Sequence, residues 1–144
     1  MDSIPTVEEQ RQRMGTHDTP VIAVVDDDGS LRRSLKNFLR SVGFRVETFA
    51  SAEEFLTSAQ RETTGCLVLD LRMAGMSGLD LLRHLAAAHV RVPAVILTAH
   101  GNEGNRRSCL EAGAVAFIDK PFRADALLDA VQTALRSHGQ RHGG

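Results

Sequence analysis

A handful of residues far apart in the chain carry groups that would do chemistry together. Asp26 and Asp27 follow the apolar run Val21–Val25, Asp70 follows Cys66–Leu69, Thr98 closes Ala94–Leu97, and Lys120 lies just past Val115–Ile118. Carboxylates brought close repel one another and stay ionised only beside a cation. Oxygen ligands without His or Cys suit a hard ion. Mg²⁺ is the expected cofactor, because it takes one or two carboxylates, keeps several waters and bridges to phosphate oxygens. An Asp that attacks phosphorus gives an acyl phosphate. Asp70 is therefore the expected phosphoryl acceptor, with the Lys120 ammonium and the Thr98 hydroxyl set to meet the incoming oxygens.

Taken singly, each group has an ordinary explanation. Asp26–Asp28 reads as a solvated turn with an N-cap, Thr98 as a strand end, and Lys120-Pro121 as a turn. The conjunction carries the reading, because each of these four strand ends presents a group the chemistry needs.

The elements that must position these groups follow from periodicity. Val21–Val25, Cys66–Leu69 and Ala94–Leu97 are short continuous apolar runs, as expected of parallel strands covered on both faces. Phe44–Thr48 alternates apolar and polar, which marks an edge strand, and Val115–Ile118 supplies the fifth. Leu31, Leu35, Phe38, Leu39 and Val42 form the stripe of a first helix, with Asp28 as N-cap and Gly43 as its stop. Ser51 and Glu54 make a capping box for a second helix, with Phe55, Leu56 and Ala59 inward. Ser77 and Asp80 open a third, whose stripe is Leu81, Leu82, Leu85 and Ala86. A weaker fourth helix spans Gly101–Ala112 and contains Gly104. The fifth is expected from about Arg123 to Arg136. Five strands alternating with five helices predict an α/β, (βα)5 doubly wound parallel five-stranded sheet of flavodoxin-like order 2-1-3-4-5. In that order the first and third strands are neighbours, so Asp26, Asp27 and Asp70 share one crevice.

A length of 144 residues suits one domain, expected over residues 20–137, with flexible tails at 1–19 and 138–144. The net charge of −1 creates no field that calls for nucleic acid or an anionic membrane. No apolar run is long enough to span a bilayer and the first twenty residues lack a signal-peptide core, so a cytoplasmic location is expected. Cys66 and Cys109 sit in core patterns without a CxxC partner. His84 and His89 lack metal spacing, and the His138/His142 pair is a weak signal in a Gly-rich tail.

Val-Val-Asp-Asp-Asp, Leu-Asp-Leu-Arg-Met-Ala-Gly-Met-Ser-Gly, Leu-Thr-Ala-His-Gly and Phe-Ile-Asp-Lys-Pro-Phe together resemble response-regulator receiver domains of two-component signalling, nearest the FixJ-like branch. The resemblance covers about residues 20 to 137. It implies that Asp70 takes its phosphoryl group from the phosphohistidine of a sensor histidine kinase or a histidine phosphotransfer protein. It implies Mg²⁺ at Asp26, Asp27, Asp70 and the backbone carbonyl of Arg72, and phosphate contacts from Thr98, Ala99 and Lys120. Thr98 and Phe117 match the switch pair, and the Lys120–Pro121 bond is expected to be cis. The output surface is helix four, strand five and helix five, where a downstream protein binds. His100 matches a position that lines the access to the phosphoryl group.

There are two departures from the family pattern. Ala74 stands where the family usually has proline, so a looser loop after Asp70 is expected. Arg106 and Arg107 replace apolar residues on helix four, which suggests an acidic partner there. The chain is expected to act as a phosphoacceptor and not as an enzyme beyond its own phosphorylation and dephosphorylation, with no membrane contact and no direct nucleic-acid binding. The alternatives are a receiver fragment of a two-domain DNA-binding regulator, an Mg²⁺-dependent aspartyl-phosphate hydrolase, and a receiver-like module that binds partners without phosphate. Hydrolases of that kind use Asp-x-Asp, whereas here Arg72 is the second residue on. Intact Asp70, Thr98 and Lys120 speak against the last.

Overall fold

Five apolar runs line up as one parallel sheet. The computed structural model describes residues 20–143; the expected N-terminal tail, 1–19, lies outside the described residues. The strands are β1 (Val21–Val25), β2 (Arg45–Phe49), β3 (Thr64–Leu69), β4 (Ala94–Thr98) and β5 (Ala114–Asp119). Their order is β2-β1-β3-β4-β5, as the alternation predicts. The helices are α1 (Gly29–Ser41), α2 (Ala52–Leu56), α3 (Gly78–Ala87), α4 (Glu103–Glu111) and α5 (Ala124–Gly143).

The two-residue repeat of a strand sorts each sheet residue to one of two cores. Ala23, Val25, Leu67, Leu69 and Ile96 face Phe55 of α2, Leu81 and Leu85 of α3, and Cys109 of α4. Ile22, Val24, Cys66, Val68, Val95 and Leu97 face Leu35 and Leu39 of α1 and Leu127, Val131 and Ala134 of α5. β1, β3 and β4 are buried throughout because helices cover both of their faces. Register then sets the site. Val25 pairs with Leu69, so Asp26 and Asp70 leave the sheet side by side. Thr98 pairs with Asp119, which brings Lys120 to the same rim.

The caps follow the sequence. Asp28 accepts the amides of Ser30 and Leu31, Ser51 accepts that of Glu54 without the return bond of the expected capping box, and Ser77 and Asp80 close a full box. Three expectations need correction. α2 ends after Leu56, and a 3₁₀ turn follows at Ala59–Glu62, leaving Ala59 exposed. The Thr57 hydroxyl bonds back to the Glu53 and Glu54 carbonyls, a local alternative that competes with further helix. Val42 and Ala86 are exposed, because each falls at or near a helix end, past the last turn that meets the sheet. The fifth helix, expected to end near Arg136, continues to Gly143. Nothing between Arg136 and His138 breaks a helix.

Candidate functional site

The site grows from the C-terminal ends of β1 and β3. The parallel ladder runs one residue beyond each strand: Asp26 N donates to Phe49 O (3.1 Å) and Asp70 N donates to Val25 O (3.2 Å). These bonds aim two carboxylates into one crevice and bury them, at 3% and 8% exposure. Asp27 is exposed at the outer side. Carboxylate oxygens of Asp26, Asp27 and Asp70 lie within 4.8 Å of one another. Asp28 caps α1, as expected from the sequence.

Lys120 reaches in from β5. Its Nζ stands 3.1 Å from Asp26 Oδ2 and 3.3 Å from Asp70 Oδ2. The Lys120–Pro121 bond is cis, and Lys120 N donates to Thr98 O (2.8 Å). The second oxygen of each buried carboxylate is held by backbone: Asp26 Oδ1 accepts the Asp28 amide (2.9 Å) and Asp70 Oδ1 accepts the Arg72 amide (3.3 Å). Burial pushes the Asp26 carboxyl up, more than the Asp28 amide and the Lys120 ammonium bring it down. Burial pulls Lys120 down, but Asp26 and Asp70 outweigh it and leave the ammonium harder to deprotonate than usual. This crevice is short of positive charge by its own chemistry.

The donor set fits Mg²⁺. All the ligand atoms are hard carboxylate oxygens, two carboxylates are oriented by hydrogen bonds, and the outer one faces solvent. Thr98 is fully buried, and its Oγ1 accepts the His100 amide (3.1 Å). Ala99 and His100 are exposed beside it. Phe117 is half-buried on β5, with its ring edge against Gly101 in the loop after β4. Arg106 and Arg107 are exposed on α4, next to Leu110, which is 41% exposed. These two lie on the helix surface, not at the crevice.

Sequence reasoning missed three contributors. Arg32 of α1 donates from its guanidinium to Asp26 O (2.7 Å), fixing the loop after β1. Gly78 opens α3 directly against the Asp70 backbone: a Cβ there would stand 2.2 Å from Asp70 O. Glu53 of α2 accepts the Met76 amide (2.9 Å) in the loop after β3. The loop expected to be loose at Ala74 is held by that bond and by Ala74 N donating to Asp27 Oδ2 (3.4 Å). Only Gly78, beside a capping Ser77, had any signal in the sequence. The other two look like solvated helix charges until the loops they hold are in place.

Comparison with known proteins agrees with the geometry. The family model for the response regulator receiver domain matches residues 22–132. Nodulation protein W of Bradyrhizobium diazoefficiens is 45% identical over 121 residues, covering 84% of this chain and 53% of that protein. The transcriptional regulatory protein FixJ of Rhizobium meliloti is 40% identical over 113 residues, covering 78% of this chain and 55% of that one. Among solved structures, the response regulator StyR superposes with a TM-score of 0.81 at 46% identity, covering 87% of this chain and 63% of that one. The chain spans about half the length of the curated relatives it matches. It belongs to the response-regulator receiver domain family, with relatives in the FixJ-like branch, and is not a conventional enzyme. Among the described residues, no helix is long and apolar enough to cross a membrane.

Proposed function

We propose that this receiver domain accepts a phosphoryl group on Asp70 from a histidine kinase or histidine phosphotransfer protein in the cytoplasm. The observation that carries the reading is the Lys120 ammonium held between two buried carboxylates at 3.1 and 3.3 Å, with a third carboxylate at the open side. Asp26, Asp27, Asp70 and the Arg72 carbonyl would hold Mg²⁺. When bound, the ion neutralises the carboxylates and draws charge from the transferring phosphoryl oxygens. In the transfer, a carboxylate oxygen of Asp70 forms the new O–P bond, the N–P bond of the phosphohistidine breaks, and the imidazole keeps that electron pair.

This chain's residues then meet the product. Lys120, the Thr98 hydroxyl and the Ala99 amide would donate to the phosphoryl oxygens. Thr98 Oγ1 already accepts the His100 amide, so its own proton is free to be given. Drawing Thr98 inward leaves room for Phe117 to turn from its half-buried position. The α4–β5–α5 surface changes shape as a result, and a downstream protein reads the change. Arg106 and Arg107 would give that surface an acidic partner. Because Arg72 stands where a hydrolase needs a second carboxylate, the acyl phosphate accumulates and small substrates are not turned over.

A second reading is favoured by the twofold length of the relatives: this receiver works as the input half of a transcription regulator. A longer reading frame decides between the two. The phosphoacceptor reading is tested by intact-mass analysis after incubation with Mg²⁺ and acetyl phosphate. One phosphoryl group is gained by the wild type and none by Asp70→Asn. No gain by the wild type, or an equal gain by the variant, overturns it.

A further inference from the structure

The loop between β3 and α3 follows Asp70, and apolar side chains on either side of its middle, Met73 and the partly buried Met76, pack on one core. Met73 is buried, but Ala74 and Gly75 are exposed. The loop's ends are tied at Asp70 and at Gly78, whose amide donates to Leu71 O (2.9 Å). Between them, the turn at Gly75 has φ +80 and rests on the Glu53 carboxylate. A Cβ at residue 75 would lie 2.6 Å from Glu53 Oε2, so the carboxylate sits flush on the turn. The same oxygen accepts the Met76 amide at 2.9 Å. A carboxylate accepting a backbone N–H makes one of the stronger hydrogen bonds available to an exposed loop.

Glu53 also has a firm base. Its short helix is capped by Ser51 and rooted by Ala52 and Phe55, both fully buried, and the Phe55 ring meets Phe49 edge-on at 5.4 Å. At the other end of the loop, the Arg72 amide holds Asp70 Oδ1 at 3.3 Å, leaving Oδ2 to Lys120. A loop that shifts at Gly75 would carry the Arg72 peptide with it, releasing the Asp70 rotamer and moving the Arg72 carbonyl.

We propose that Glu53 is a positioning residue for the Asp70 site: it clamps the Gly75–Met76 turn, and through it the Arg72 peptide that orients the acceptor carboxylate. The proposal rests on the phosphoacceptor reading for its consequence, not for its mechanics. Glu53 does the stiffening that a proline at Ala74 would otherwise supply.

The test compares wild type, Glu53→Ala and Glu53→Gln in the full chain. Amide exchange with solvent, measured by NMR without metal, reads the clamp directly. Glu53→Ala is expected to speed exchange at both Met76 and Arg72 by about tenfold, with β3 amides such as Leu67 unchanged. Glu53→Gln keeps an acceptor oxygen and is expected to stay within about threefold of wild type. Mg²⁺ affinity by calorimetry should weaken in the alanine variant and largely recover in the glutamine variant. An Arg72 amide in Glu53→Ala that exchanges at the wild-type rate overturns the proposal, as does a glutamine variant no better than alanine. Failure of the wild type to take up phosphate sinks the functional reading but leaves the exchange comparison intact.

Discussion

The two margins of the sheet are built differently. β2 alternates: Arg45 and Glu47 face water while Val46 and Phe49 are buried. Val46 joins the core with Leu35 and Leu39, and Phe49 stacks edge-on against Phe55 on the other side. β5 is nearly all apolar, yet Val115, Ala116, Phe117 and Ile118 are each only half-buried. On the Phe117 face the cover is thin, because α4 buries Cys109 alone while Leu110 is 41% exposed. A polar strand edge can be sealed tightly because every apolar residue has one place to go. An apolar edge with incomplete cover leaves slack, and the proposed switch residue sits in that slack. The crevice lies between, fixed by the fully buried β1 and β3.

Truncating the sealed side should cost most. Phe55→Ala removes a fully buried ring and is expected to lower stability by about 3–5 kcal/mol in urea unfolding. A loss no larger than that of Phe117→Ala would erase the contrast between margins. Lys120→Met strands two carboxylates in a pocket where the lysine side chain is 20% exposed, for an expected loss of about 2 kcal/mol at neutral pH without metal. Because the folded-state pKa of Lys120 is raised above 10.5, the ion pair contributes fully below pH 10.5, and that contribution is lost as pH rises through the folded value. The methionine variant should lack this alkaline decline. Asp26, raised above 3.8 by burial, acts in the same direction at the acid end: stability falls as pH rises from 3.8 through its folded value.

Phe117→Ala, at a half-buried position, should cost only about 1–2 kcal/mol and leave phosphoryl uptake intact. Caps sharpen the contrast at the smallest scale. Asp28→Ala at α1 should lower global stability by about 1 kcal/mol. Asn102, which accepts the Asn105 amide at the start of α4, guards a helix with little buried surface. Asn102→Ala should therefore show as faster amide exchange across α4, with the urea midpoint almost unmoved. Equal global losses at both caps would mean that α4 is held as firmly as α1.

Much of this molecule was legible as sequence. The runs at Val21–Val25, Cys66–Leu69 and Ala94–Leu97 announced buried parallel strands with Asp26, Asp27, Asp70 and Thr98 at their ends, and Lys120 stood just past the run Val115–Ile118. Other features were not legible. Thr57 ends α2 through hydrogen bonds that helix periodicity does not register, and α5 outruns its apolar stripe. Arg32 and Glu53 look like solvated charges until the loops they hold are in place.

Local chemistry along the chain determined the strand and helix pattern and which carboxylates end strands, because hydrophobic period and capping act over a few residues. Only the folded sheet decided which oxygens share a proton donor, how deeply Phe117 sits, and that Glu53 reaches Met76. Those outcomes depend on register and on distances between residues far apart in the chain, and no local pattern encodes such distances.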